Sequence, residues 1–481
     1  MRTTFLLLTA ILCLTLGGAP AHATPRSAVC QTCASQLDVP LPMDDGVALA
    51  ATLYLPSGTP PAGGWPAVML FHGLGGTRAS VAAIASGVLA PAGYAVLAYD
   101  ARGHGESGGE VTLDGPREIA DLRAAFDWLT ARADVSDSLV GAIGFSYGGG
   151  AVLRAAVEGV PFKAIVPAIT WTSLYDALVP QDLAKSGAVV QFLQSVSHWA
   201  PSAYALAQDV LASRNLEAVR AFAAERSSLS SLKGLKTPTF FIQGRRDFAF
   251  DISQALAGYR AVSGPKRLYI GDLGHAPATN PSAETPHYLT EAREWLDRWL
   301  KGIPNGIDTR PPVEVSPDPW TGKTYSYSAL PKTKTLTLHF RGRKTIGADG
   351  KVARTVKLPN RRLETFGSAS VRVSLASSTG WPHVVAVLSA LTPAGHEIVV
   401  SEGGAQTSSL GRKARSVTIR FLNDATLVPA RSRLRLTLAS ASTAQNVQNL
   451  LYLNVGMPES ARLTIGSATL RLPVLKTTIS R

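Results

Sequence analysis

Cysteine is scarce in this chain: 481 residues hold three. Cys13 lies in an N-terminal apolar run, which leaves Cys30 and Cys33 as a C-x-x-C pair. A zinc site would want two further ligands at matching spacing, and none stands out. A redox pair would want a strand before it and a helix after it, whereas this one sits in a short leader. Outside the cytosol such a pair usually closes a small disulfide loop, so a local disulfide is the reading, with free thiols as the alternative. Beyond the N-terminus no apolar run reaches transmembrane length, so no stable membrane insertion is expected. Charge is sparse, at 17% against 46% hydrophobic residues, a balance that excludes disorder over most of the length. Acids are rarest late in the chain. From Asn305 onward 24 Lys and Arg stand against 9 Asp and Glu. The net charge there is +15 in a chain that carries +13 overall, and the part before is near neutral. A basic tail of this kind reads as a solvated surface, with weak contact to anionic envelope polymers as its partner reading. Neither a Walker lysine nor a Rossmann fingerprint is present, so no nucleotide or nucleic-acid partner is expected.

What is present at the N-terminus is a targeting pattern. Arg2 supplies the positive region, Phe5 to Leu16 the apolar stretch, and Ala21-His22-Ala23 a small-x-small cleavage site. Residues 1–23 therefore read as a signal peptide, 24–35 as a leader, and the protein as secreted, periplasmic or envelope-located. A chain this long holds two or three domains.

The chain is organised around Gly144-Phe145-Ser146-Tyr147-Gly148. An apolar strand pattern, Ser138 to Ile143, precedes it, and a small-residue helix pattern, Gly149 to Ala156, follows. G-x-S-x-G between strand and helix is a nucleophile elbow. The turn is tight enough that only glycine fits on either side of the serine. The following helix aims free N–H groups at the place where negative charge develops.

Strands and helices alternate around this motif. Gln36 to Pro42 and Val47 to Leu55 read as a hairpin about Asp44-Asp45-Gly46. Trp65 to Phe71, Tyr94 to Tyr99, Phe162 to Ile169, Pro238 to Gln243 and Arg267 to Ile270 read as strands. Helices are expected over about Arg78–Ala92, Gly115–Arg132, Asp251–Arg260 and Pro286–Lys301. This alternation predicts an α/β fold with a mostly parallel sheet covered on both faces.

Functional residues in such sheets gather at the carboxyl ends of the strands. The loop His72-Gly73-Leu74 follows the third strand. The N–H groups of Leu74 and Tyr147 are the expected oxyanion donors, and His72 reads as a loop-shaping histidine. Gly244-Arg245-Arg246-Asp247 places an acid late in the sheet; Asp251, at a helix start, suits a cap instead. His275 follows the last of these strands directly, whereas His287 reads as a surface residue near a helix start. The order Ser146, Asp247, His275 is nucleophile, acid, base. In the loop Tyr99 to Gly109, Asp100 and Arg102 are expected to pair. No metal or organic cofactor is required by this set.

The elbow, the Tyr-Asp-x-Arg-Gly-x-Gly-x-Ser-x-Gly loop and the Gly-x-x-Asp and Gly-His elements resemble the cocaine esterase and Xaa-Pro dipeptidyl-peptidase family of α/β-hydrolases. Trp171 to Asp176 is similar to the start of that family's helical cap. Ser368–Ser378, Val384–Ser389, His396–Glu402, Ser416–Leu422 and Ser432–Leu438 read as short strands of a β-sandwich. They are similar to the family's C-terminal jelly-roll domain. The resemblance implies a hydrolase domain over 36–304 with a cap at about 171–236, a connector over 305–335, and a sandwich over 336–481. It implies a serine hydrolase acting on a small-molecule ester or a short peptide. The family's cocaine esterase uses a tyrosine hydroxyl in its oxyanion hole. His72-Gly73-Leu74 has none, so both donors are expected from the backbone. Trp171, Tyr175, Phe192 and Trp199, with His198, are the expected lining of the acyl pocket, and 341–362 reads as loop.

Overall fold

The computed structural model describes residues 35–443 and 451–479. The expected signal peptide and the Cys30/Cys33 pair lie outside the described residues. Ten strands form the first sheet. In chain order, β1 (Ser35–Pro42) and β2 (Ala48–Leu55) are the hairpin, followed by β3 (Trp65–Phe71), β4 (Ala95–Tyr99), β5 (Val135–Phe145), β6 (Ala164–Ala168), β7 (Thr239–Gly244), β8 (Lys266–Gly271), β9 (Val313–Val315) and β10 (Tyr325–Tyr327). Their spatial order is β1-β2-β4-β3-β5-β6-β7-β8-β9-β10. Strands from β4 to β9 run parallel, while β1, β2 and β10 pair antiparallel at the two edges. The central strands β3 to β8 are almost wholly buried, as a parallel sheet covered on both faces requires.

The helices are α1 (Ala82–Ile84, at the centre of irregular helical turns over 78–89), α2 (Pro116–Thr130), α3 (Tyr147–Val157), the cap helices α4 (Leu174–Leu178), α5 (Ser186–Ser195), α6 (Pro201–Leu211) and α7 (Leu216–Glu225), then α8 (Ile252–Ala261) and α9 (Thr285–Leu300). One face of the sheet packs on α2, α3 and α8 through Leu122, Phe126, Val152 and Leu256; the other packs on α9 through Trp295 and Leu296. Apolar residues recur three and four apart on these helices, which puts them on one stripe. Among the described residues no helix is long and apolar enough to cross a membrane.

Two sequence expectations are corrected here. Residues 305–335 do not form an extended connector, because β9 and β10 complete the first sheet within that stretch. Val313 and Val315 are fully buried in it. The three-residue strands are too short to stand out of a Pro- and Gly-rich background. Nor is 341–362 a loop: Lys344–Gly347 and Lys351–Lys357 are strands within it.

The remaining strands are β11 (Thr333–Phe340), β12 (Lys344–Gly347), β13 (Lys351–Lys357), β14 (Leu363–Glu364), β15 (Gly367–Ser377), β16 (His383–Leu391), β17 (Glu397–Gln406), β18 (Arg415–Asp424), β19 (Leu427–Val428), β20 (Arg433–Ala439) and β21 (Arg462–Leu475). One layer is β11-β21-β15-β18, with β12 also on β21; the other is β17-β16-β20-β13. The layers are joined where Gly403 pairs with Phe421. Their facing residues, among them Val371, Leu388, Ile419, Leu436 and Leu470, form a separate core. The architecture is thus an α/β domain with a helical cap, followed by an all-β sandwich.

The sandwich is packed on the rest. Phe366, Ala425, Leu475 and Ile479 enter the first domain's core. A smaller cluster joins Leu183 and Ala188 of the cap, Phe248 of the β7–α8 loop, and Val385, Val399, Leu422 and Tyr452 of the sandwich.

Candidate active site

Ser146 sits at the end of β5 with φ 54° and ψ −116°, a conformation that costs on the order of 1–3 kcal/mol in a residue with a side chain. A Cβ at Gly144 would collide with the Gly148 carbonyl, and one at Gly148 would lie 2.6 Å from Phe71 Cβ and 2.7 Å from His72 O. The two glycines are what allow strand, turn and helix to close so tightly. The Ser146 N–H donates to Ala168 O at 2.9 Å, tying the turn to the end of β6.

Ser146 Oγ lies 2.9 Å from His275 Nε2. Nδ1 of the same ring lies 2.8 Å from Asp247 Oδ2, which also accepts from the His275 backbone N–H at 3.0 Å. The other carboxylate oxygen accepts from Phe250 N–H at 2.9 Å. The Asp247 side chain is fully buried, and that of His275 is 24% exposed. The aspartate therefore holds the ring with Nδ1 protonated, leaving Nε2 as acceptor for the serine proton. Asp251 takes the capping position: its Oδ1 accepts from Ser253 N–H at 2.8 Å at the start of α8.

Gly73 is next to the nucleophile; a Cβ there would lie 3.6 Å from Ser146 Cβ. Leu74 packs against the cluster that contains Tyr147. Among the described residues, neither the Leu74 nor the Tyr147 N–H donates a backbone hydrogen bond. His72 shapes this loop as an uncharged ring. Nδ1 donates to Gly73 O at 2.8 Å, and Nε2 accepts from Ala101 N–H at 2.9 Å. Burial lowers its pKa to about 4. Behind the elbow, Asp114 and Tyr147 are buried, and burial raises the pKa of both.

The Asp100–Arg102 pair does not form. Asp100 pairs with Arg78, and Arg102 makes two bonds to Asp121, at 2.7 and 2.8 Å, and a third contact to Asp45. Arg78 and Asp121 come from helical segments and Asp45 from the β1–β2 turn, none of which sequence order places beside the loop. His287 is likewise not a plain surface residue. Its Nε2 lies 2.9 Å from Glu314 on β9, which raises the histidine's pKa. His287, Glu291 and Glu314 are close enough to hold a metal ion, but Arg267 already donates to both carboxylates.

An apolar cavity of about 80 Å³ opens within the cap. Tyr175, Phe192 and Trp199 line it, together with Leu113, Val189 and Ala207. The Phe192 ring lies 6.1 Å from that of His275, so one wall residue of the cavity borders the site. Trp171 is not on its wall. It is buried behind Phe250, ring centroids 5.1 Å apart, and its indole N–H donates to Arg226 O. His198 is exposed beside Ser197 and is also absent from the lining.

Two contributors were not legible beforehand. Phe250 stands edge-on to His275 at 5.1 Å; the only signal was an apolar triplet directly after Asp247. Lys185, in the cap, is fully buried and donates to the carbonyls of Phe248 and Ala249 at 2.8 and 2.9 Å. Burial lowers its pKa, while Asp251 and Asp247 counter that effect.

The constellation is that of a serine hydrolase. A family model described as X-Pro dipeptidyl-peptidase (S15 family) matches residues 45–277, just under half of the chain. That span runs from the β1–β2 turn to just past His275. A putative Xaa-Pro dipeptidyl-peptidase of Bacillus anthracis is 27% identical over 267 residues, covering 47% of this chain and 41% of that protein. The chain spans about two fifths of the length of such curated S15 relatives. Full-length likeness appears among solved structures. A CocE/NonD family hydrolase from Staphylococcus aureus has a TM-score of 0.71 at 15% identity, covering 92% of this chain and 94% of its own. An α-amino acid ester hydrolase has 0.67 at 15% identity, covering 97% and 100%. These share the fold over nearly the whole chain.

Proposed function

We propose that the protein is an exported serine hydrolase that cleaves carboxylic esters with an apolar acyl or alcohol group. The carrying observation is the His275 ring, bonded to Ser146 at one nitrogen and to Asp247 at the other. Ser146 Oγ attacks the carbonyl carbon as its proton passes to His275 Nε2. Asp247 stabilises the imidazolium, and the N–H groups of Leu74 and Tyr147 hold the oxyanion. The tetrahedral species collapses as His275 returns the proton to the leaving alkoxide. Water, deprotonated by the same ring, then releases the acid from the acyl-enzyme.

Preference for esters rests on the cavity lining, which contains no carboxylate. A dipeptidyl-peptidase must hold a free ammonium, and a buried charge needs a partner. Of the acids that open the cap, Asp182 is engaged with Tyr175 and Arg220, and Asp176 accepts from Ser173. Xaa-Pro dipeptidyl-peptidase is the second reading, supported by the S15 match and by similarity to the Bacillus anthracis putative Xaa-Pro dipeptidyl-peptidase. The test is kcat/KM on a butyrate ester against an Ala-Pro anilide at one pH. Higher efficiency on the anilide reverses the ranking.

A further inference from the structure

The outer face of the β11-β21-β15-β18 layer carries three arginines in register. Ser370 on β15 pairs with Arg471 on one side and Arg420 on the other. Two residues along, Arg372 pairs with Thr469 and Thr418. Thr337 and His339 of β11 continue the two rows. All three arginines are exposed, and their alternate neighbours, Val371, Ile419, Leu470 and Leu472, point into the core. Strand spacing puts the Arg471 and Arg420 backbones about 10 Å apart, with Arg372 displaced roughly 7 Å along the sheet. Lys334, Arg415 and Arg462 add exposed charge towards the strand ends.

What is missing from this face matters as much. β11, β12, β15 and β21 contain no Asp or Glu, and the one acid of β18, Asp424, is buried. The sandwich's ion pairs lie elsewhere, Arg435 with Glu397 and Arg245 with Glu364. Like charges set this close without acids repel one another, a cost that a bound polyanion removes. Guanidinium groups suit it further, since each can grip a phosphate, sulfate or carboxylate through two parallel N–H bonds.

We propose that this face docks the enzyme on a linear anionic polysaccharide. The hydroxyls between the arginines, Ser370, Thr337, Thr418 and Thr469, suit the hydroxyls of a sugar chain. The face offers no Phe, Tyr or Trp on which a nucleic-acid base could stack. It is also flat and polar, with no exposed apolar side chain to enter a lipid surface. Docking would hold the hydrolase at an anionic matrix, with the Arg420 backbone tied to Gln181 of the cap.

The experiment uses the full chain on immobilised heparin as the sulfated polysaccharide probe, across a NaCl series, with ester hydrolysis in solution as the fold control. The wild type is expected to bind at low salt and to weaken linearly in log K against log salt. The triple variant R372Q/R420Q/R471Q is expected to bind at least roughly tenfold more weakly, with a slope smaller by about 2–3, and to keep its esterase activity. A control triple variant of exposed lysines outside the sandwich, K163Q/K233Q/K236Q, is expected to bind as the wild type does. Equal losses in the two triple variants would show attraction by net charge alone and overturn the proposal. Absence of wild-type binding at low salt, equal binding to uncharged dextran, or tighter binding to single-stranded oligonucleotides would each overturn it too.

Discussion

Arg245 and Glu364 form an ion pair in which neither side chain is exposed, and the pair crosses from the hydrolase domain to the sandwich. The same guanidinium donates to Ala425 O and Ser316 O, and Arg245 N and O are bonded to Gly271 O and Ala425 N. Asp247 is two residues away. The sandwich therefore helps to fix the loop that carries the triad acid. Glu364→Ala would leave a buried arginine without its carboxylate, a defect worth about 3–5 kcal/mol. A lower thermal midpoint together with a lower kcat is the expected outcome. A variant as stable and active as the wild type would show that the pair fixes nothing. Truncation after residue 330, which spares β9 and β10, should yield insoluble or inactive protein because it uncovers the core at Phe366, Ala425 and Leu475.

Ser146→Ala should lose at least roughly 10³-fold in kcat without unfolding, and Asp247→Asn should also be severe, since the ring loses the acceptor that sets its tautomer. Asp251→Asn should leave the kinetics nearly unchanged, because Asn caps a helix about as well as Asp. Steady-state kinetics on the three folded variants check this; a larger kinetic loss at Asp251 than at Asp247 would reassign the acid.

Lys185 places a buried cation behind Asp247 and Asp251. Lys185→Met removes both of its bonds to the Phe248 and Ala249 carbonyls, which tie the cap to the loop carrying the triad acid. The thermal midpoint and kcat should both fall, and a variant as stable and active as the wild type would show that Lys185 holds nothing there.

His72 is buried uncharged, with its pKa lowered from 6.5 to about 4. The unfolded chain binds this proton more readily than the folded one. Stability from this group is complete above pH 6.5 and is lost as pH falls towards 4, by about 3 kcal/mol in all. Denaturant titrations from pH 7 to 4 should show that loss, and His72→Asn should remove much of it.

On the proposed ester reading, the acyl group sits in the cap cavity. Each methylene seated in it adds about 0.8 kcal/mol, so kcat/KM should rise from acetate to longer acyl esters. Ala207 lies on the wall. Ala207→Phe should lower efficiency on octanoate far more than on acetate, and equal losses on the two would place the acyl group elsewhere.

Local pattern was enough for the elbow, because a strand, two obligate glycines and a small-residue helix are adjacent in sequence. It was enough for the order of Ser146, Asp247 and His275, since each follows an apolar strand directly, and for the sandwich, whose strands alternate with period two. It failed where short elements depend on neighbours. β9 and β10 are strands only because β8 offers an open edge, and Trp171 is cap core only because Phe250 and Arg226 meet it. Pairings were settled by the fold alone. Arg102 reaches Asp121 rather than Asp100, and Lys185 and Glu364 reach the Asp247 loop from 62 and 117 residues away along the chain. A charge finds its partner by proximity in space, and no periodicity along the chain encodes which distant element will arrive there.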